Sequence, residues 1–394
     1  MLYRGNLFLL TFLTSLVQAC WGRDDVTAEN MTSLRKYLLR DYDPYLRPRK
    51  IQADPLIINA SFFVHRFNDI NEKEESISLL GYLRISWNDE FLAWNKQEHS
   101  NISNIEFKTN DIWWPTIALG NPVGEFETFQ NPFKIFRVSS SGDIEWYPAG
   151  LYSVVCELNL KKYPFDTQTC DFMFVAIGYS LDDVIINAEH SVLHNRETTE
   201  WKVEAGRIYS MAPYGKTGLT ASFTLQRKPY FVVLTVLLPL CLLSVMNLFV
   251  FLIPVESGEK ISFAITTFLA YSIYLSAIGS SLPAKDNVHM VVYIEILMVL
   301  SVIMMVLVIV QTRLYFYYGE HHLPCFVGNT ISEKIVRTNK GDVKHTPSLE
   351  TSKPLKRRTW ANSMIIIDKV LFISFSCVLG SVSIYYFDLM MAKS

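Results

Sequence analysis

Four long apolar runs, all in the second half of the chain, constrain the fold more than any other feature. They cover Tyr230 to Ile253, Ile261 to Ala284, Val288 to Thr312 and Val370 to Phe387. A helix needs about 20 such residues to cross a bilayer core, and its backbone bonds must close within the segment. Four membrane-spanning helices are therefore expected. Half of all residues are hydrophobic, which fits a membrane protein with a large polar portion. The net charge of −2 gives no electrostatic case for a nucleic-acid partner.

The stretch from Trp21 to Arg227 has no comparable run. A short amphipathic segment, MTSLRKYLLRDYDP, gives way to alternating, aromatic-rich sequence. ASFFVHRF, SISLLGYLRISW, FKIFRV and LYSVVCELNL all read as half-buried strands separated by Asn, Gly, Asp and Ser turns. Many short strands of this kind predict a β-sandwich. Arg4, the apolar run Asn6 to Val17 and the small-residue end at Ala19 read as a secretory signal, too short to span a membrane. Sequons at Asn30, Asn59 and Asn101 follow it and place the sandwich outside the cell. Of six cysteines, only Cys156 and Cys170 lie both in this external part and in strand-like sequence, so they are the expected disulfide.

Orientation follows from charge. Between Arg313 and Arg358 nine Lys/Arg face four Asp/Glu, a net of 9 − 4 = +5, the excess that cytoplasmic loops carry. The expected division is a signal peptide at 1–19, an extracellular ligand-binding domain at 20–228, and three membrane helices at 229–312. A cytoplasmic loop at 313–363 and the fourth helix with an extracellular tail at 364–394 complete it. The loop reads either as a solvated linker or as a partly helical segment.

The second apolar run carries hydroxyls at Ser262, Thr266, Ser276 and Ser280, which fall near one helical face together with Leu269 and Ile273. A polar stripe in lipid must meet water or another helix, so a pore lining and a helix–helix interface are both open readings. Glu256 and Glu259 precede the run. Repeated around a ring of subunits they would favour cations, while for a single helix they compensate the N-terminal dipole. Glu295, inside the third run, is either a functional group or a side chain in a wet crevice.

These segments resemble known ones. CELNLKKYPFDTQTC, with 13 residues between Cys156 and Cys170, resembles the signature loop of the Cys-loop pentameric ligand-gated ion channels. QRKPYFVVLTVLLPL is similar to that family's first membrane helix, and PVESGEKISFAITTFLA to the nicotinic pore helix. ISWNDEFLAWN and IWWPTIALGN match the nicotinic external domain. The resemblance implies a homopentameric ring in the plasma membrane, with both termini extracellular. It also implies an inner selectivity ring at Glu259 and a gate at Leu269. Inhibitory relatives insert Pro-Ala-Arg at the inner mouth, and its lack here implies cation selectivity. The outer ring, acidic in many nicotinic subunits, is Ser280. For coupling, the resemblance implies that Pro164 and Phe165 press on the linker near Pro283 and Lys285, and that Arg227 pairs with an acid near Glu72. Read alone, Arg227 is a basic residue snorkelling at the membrane boundary.

The nicotinic ligand pocket is an aromatic box that exploits cation–π attraction to an ammonium. Here the box tyrosine aligns with Gly120, the box tryptophan with Ile177, and the complementary-side tryptophan with Tyr82. The flap lacks its vicinal cysteines. Tyr209 and Tyr214 are flap candidates, with Tyr147 behind and Tyr179 alongside. For any one tyrosine, ordinary packing is the simpler reading. Taken together, the set implies a neutral or apolar agonist, as in the nicotinic-derived chemotactile receptors of cephalopods. An accessory subunit that binds nothing, and a tethered ligand-binding protein without conduction, are the competing readings. There is no catalytic constellation, metal motif or nucleotide loop, so no enzyme and no cofactor are expected. Expected partners are like or related subunits, a small apolar agonist, permeant cations and lipid.

Overall fold

The computed structural model describes residues 26–125, 129, 135–193, 197–212, 216–283, 288–318 and 360–392. They form two compact bodies: residues up to Leu158 with Thr167–Gln226, and Asn159–Asp166 with the chain from Arg227 onward.

The first body begins with helix α1 (Ala28–Leu38), the amphipathic segment. Thr27 caps it, its Oγ1 accepting from the Asn30 N–H at 3.2 Å, and Leu34 and Leu38 form the buried face. Among the described residues eleven strands follow: β1 (Leu56–Asn71), β2 (Ser76–Asn88), β3 (Asn104–Lys108), β4 (Ile117–Leu119), β5 (Ile135–Ser139), β6 (Asp143–Trp146), β7 (Ala149–Val155), β8 (Thr167–Ser180), β9 (Val184–Leu193), β10 (Trp201–Met211) and β11 (Lys216–Arg227). One sheet runs β3-β5-β6-β2-β1-β9 with β7 also on β2, and the other runs β10-β11-β8-β4. The expected β-sandwich is present.

Alternation dictates the packing. Leu56, Ile58, Ala60, Phe62 and Val64 point inward from β1, and Cys170, Phe172, Phe174 and Ala176 answer from β8. Phe62 sits 5.1 Å from Phe174 and 5.6 Å from Tyr152 in edge-to-face geometry, which favours the ring quadrupoles. The disulfide Cys156–Cys170 ties the end of β7 to β8, and so one sheet to the other. The segment LYSVVCELNL is strand only as far as Val155. Beyond it the chain still alternates buried and exposed, but it leaves the ladder. Leu158 N–H bonds instead to Glu75 Oε1 at 3.0 Å.

Among the described residues, the second body holds four helices long and apolar enough to cross a membrane. The first span, α2 (Tyr230–Leu252), contains a π-helical stretch at Val233–Leu237, just before Pro239. Proline has no N–H to give and disrupts the preceding turn, which accounts for a wider turn there. Gly258, in the left-handed region at φ 72°, precedes α3 (Glu259–Ser281). Helices α4 (His289–Tyr318) and α5 (Trp360–Met391) complete the bundle, α5 running well past the apolar run that signals it. Val250, Phe251, Ala264, Met304 and Val308 form one core cluster, with Leu371, Phe372 and Phe375 packed against it.

Candidate functional site

Helix α3 has two unlike faces. Lys260, Ala264, Thr267, Tyr271 and Ile278 are buried inside the bundle. Glu259, Ser262, Thr266, Leu269, Ile273, Ser276 and Ser280 are all exposed in the single chain. The steps from 262 to 280 are four, three, four, three and four, so the stripe predicted from sequence is one uncovered ridge. Two buried hydroxyls off the stripe have inward partners. Thr267 Oγ1 bonds to Asn247 Oδ1 at 3.0 Å, and Tyr271 donates to Ser244 at 3.1 Å. The helix thus separates hydroxyls that glue the bundle from hydroxyls that face outward. The stripe residues themselves make no contact among the described residues that would glue α3 to a neighbouring helix of the same chain; they are exposed.

The outward hydroxyls have a defined polarity. Thr266 donates its proton to the Phe263 carbonyl at 2.8 Å, and Ser280 donates to Ala277 at 2.7 Å. A hydroxyl has one proton and two lone pairs, so these two present acceptor oxygens outward. Glu259 stands exposed at the foot of the ridge, whereas Glu256 accepts a bond from Tyr315 OH at 2.9 Å on α4. Glu295 is exposed on α4.

The ligand candidates divide between the two sheets. Gly120, Ile177, Tyr179 and Tyr209 belong to the four-stranded side. Ile177 is 40% exposed and Tyr209 46%, whereas Tyr179 is half-buried with its ring edge-on to Trp113 at 5.9 Å, and burial raises its hydroxyl pKa. Gly120 gives its N–H to the Met173 carbonyl at 2.8 Å. A Cβ at Gly120 would sit 3.0 Å from Val175 and 3.2 Å from Met173, so this site is tight for the tyrosine of a nicotinic box. Tyr214 lies outside the described residues.

Tyr82 and Tyr147 belong to the seven-stranded side. Tyr82 stacks on Phe63 at 4.8 Å with 7° between the rings, and Tyr147 approaches to 6.2 Å. The register pairs Phe63 with Tyr82 directly across β1 and β2, which fixes the stack. Beside them Arg84 Nη2 bonds Glu145 Oε1 at 2.6 Å, while Tyr147 OH donates to Glu145 Oε2 at 2.9 Å. The Arg84 bond holds the Glu145 carboxyl below its usual range, while burial, then the Glu145 bond, raise the Tyr147 hydroxyl. Phe63, Arg84 and Glu145 were not singled out from sequence. The doubled phenylalanine of ASFFVHRF, with its second ring on the outward-facing parity, is the signal that points to Phe63. Within one chain the two sets lie on different sheets.

Around the disulfide loop, Pro164 is buried and Phe165 half-buried. Asp166 of this loop pairs with Arg227, a partner the sequence did not suggest. The Lys161 carbonyl accepts from His289 N–H at the start of α4 at 3.2 Å. Glu72 lies in the turn between β1 and β2, Pro283 follows α3, and Lys285 is outside the described residues. Of the sequons, Asn101 is exposed in a turn at φ 55°, Asn30 donates to Ser100 at 2.9 Å, and Asn59 lies within β1.

Comparison with known proteins fits this geometry. Residues 31–229 match the model of the neurotransmitter-gated ion-channel ligand binding domain, and 236–323 that of the transmembrane region. The acetylcholine receptor subunit beta-type acr-2 of Caenorhabditis elegans is 26% identical over 78% of this chain. The match spans 55% of that subunit's own length. The chicken neuronal acetylcholine receptor subunit beta-3 is 28% identical over 74% of the chain and 67% of its own length. The guinea pig 5-hydroxytryptamine receptor 3A is 28% identical over 78% and 67%. The family consists of ion channels and not enzymes. With both its external and its membrane regions matched, the chain belongs to the neurotransmitter-gated ion-channel family.

Proposed function

We propose that this chain is one subunit of a pentameric ligand-gated cation channel in the plasma membrane, with both termini outside. The α3 ridge carries this reading. Five copies of it would line a path with hydroxyl rings at Ser262, Thr266, Ser276 and Ser280 and apolar rings at Leu269 and Ile273. Apolar rings of this kind close by dewetting. Glu259 at the foot, and hydroxyls that present lone pairs, favour cations over anions.

The agonist is neutral or apolar and binds between subunits. One subunit contributes Ile177, Tyr179 and Tyr209, and the next contributes Tyr82 and Tyr147. Two observations support that class. Ile177 and Gly120 remove two rings that would attract an ammonium. On the other side the Glu145 carboxylate is already paired with Arg84 and is not free to attract a cation. This chemistry resembles that of contact chemoreceptors.

The test is whole-cell current from cells expressing this chain alone, screened with acetylcholine beside hydrophobic natural products, with external sodium and chloride exchanged in turn. Currents evoked by apolar compounds and reversing with sodium are expected. A robust acetylcholine current would overturn the agonist class. A second reading, an accessory subunit active only in heteromers, is favoured by the tight packing at Gly120. Surface pentamers silent to every compound would select it.

A further inference from the structure

Glu259, the acid at the foot of the α3 ridge, is followed at once by a residue of opposite charge. Were Lys260 to face the same way, five pairs would cancel and the inner mouth would carry no net field. Lys260 is instead 1% exposed, turned about 100° round the helix into the bundle. Its ammonium lies 2.6 Å from Asp368 Oδ1 on α5 and 3.3 Å from Gln311 Oε1 on α4. A buried ammonium persists only when paired and hydrogen-bonded, and both conditions are met here by side chains from two other helices.

We infer that Asp368 is a positioning residue for ion selectivity: it holds the Lys260 charge inside the bundle, so that Glu259 alone sets the field at the inner mouth. This rests on the cation-channel reading above. The contact also has an unusual reach. It places a determinant of the conduction path on α5, whose other residues on this stretch, Ile365, Ile366, Ile367 and Val370, are exposed in the single chain. Without Asp368 the lysine has a bare acceptor in Gln311 and, among the described residues, no counter-charge. It then leaves the bundle toward water, on the exposed side of its helix that carries Glu259.

The test uses the purified receptor in nanodiscs, treated with the water-soluble amine reagent sulfosuccinimidyl acetate and read by peptide mass spectrometry. Lys260 is expected to be unmodified in the natural protein and modified several-fold more in Asp368→Asn. Exposed Lys161 should react equally in both and serves as the internal control. In the Leu269→Thr background, where a wetter gate ring conducts without agonist, Asp368→Asn should shift reversal toward chloride. The Lys260→Gln/Asp368→Asn double variant, which buries no charge, should restore it. Equal Lys260 modification in natural and Asp368→Asn receptor, or a double variant that behaves like Asp368→Asn, overturns the inference. If Asp368→Asn fails to assemble, the double variant decides: natural reversal supports the pairing, and a chloride shift refutes it. A natural receptor that itself reverses with chloride overturns the cation reading, and with it this one. Sodium reversal with an unchanged Asp368→Asn overturns this one alone.

Discussion

Arg227 and Asp166 form a two-point ion pair, Nε to Oδ1 at 2.8 Å and Nη2 to Oδ2 at 3.4 Å, with both side chains almost wholly shielded from water. The Arg227 guanidinium also lies over the Tyr163 ring at 4.8 Å, and the Arg227 backbone N–H donates to the Asp166 carbonyl at 3.1 Å. Breaking a buried pair by removing one partner costs about 3–5 kcal/mol. Asp166→Asn or Arg227→Gln is therefore expected to abolish mature receptor at the cell surface, measured by surface biotinylation. Arg227→Lys should fail nearly as badly, because an ammonium cannot make the two-point contact or lie flat on the tyrosine. Normal surface levels of Arg227→Lys would show that the geometry of the pair is dispensable.

The missing aromatic ring at Ile177 can be put back. Ile177 is 40% exposed in the single chain, so Ile177→Trp should fold as the natural protein does. A dry cation–π contact is worth up to about 2 kcal/mol, or about 30-fold in affinity. Acetylcholine, inert on the natural receptor by our reading, should gain measurable potency. Gly120→Tyr should be less tolerated, because its Cβ already meets Val175 at 3.0 Å. Thermal melts of the two variants, run side by side, would reveal the reverse order if the packing argument is wrong.

The disulfide closes a short loop between the sheets. With a sequence separation of 14, chain-entropy arguments assign it about 3 kcal/mol. Cys170→Ser is expected to lower the unfolding temperature and the yield of assembled receptor. Dithiothreitol on the natural protein should reproduce the shift only after partial unfolding, since Cys156 and Cys170 are 4% and 1% exposed.

Acid should loosen the Tyr147 face. The Glu145 carboxyl is depressed by its Arg84 bond, so its stabilisation is fully present above the ordinary glutamate range, about pH 4.3. It is lost as pH falls through the lower, folded-state value. Because both side chains are more than a third exposed, the effect is under about 1 kcal/mol. The melting-temperature gap between natural protein and Glu145→Gln should be constant from pH 7 to 5 and close below pH 4. A gap that stays open in acid would mean the Arg84 contact is not its source.

Much of this was readable in advance, for identifiable reasons. The four spans follow from apolar length alone, and the outward stripe of α3 from helical period, because both are properties of one segment. The Cys156–Cys170 bond and the sandwich likewise came from local pattern. What sequence did not reveal depends on pairing between distant segments. Phe63 meets Tyr82 only through the β1–β2 register, Arg84 meets Glu145 across β2 and β6, and Asp166 finds Arg227 over 61 positions. The extent of β7 was overread for a related reason. Cys156 to Leu160 keeps a strand's alternation of buried and exposed side chains, yet the Cys156 and Leu158 amides bond to Glu75.

The ridge on α3 has a pharmacological corollary. A compound apolar enough to settle against Ile177 is also apolar enough to settle between the Leu269 and Ile273 rings once the gate is wet. The same substance should then open the receptor at low dose and plug it at high dose. Its dose–response curve would rise and fall, with a rebound of current on washout as the plug leaves before the agonist does.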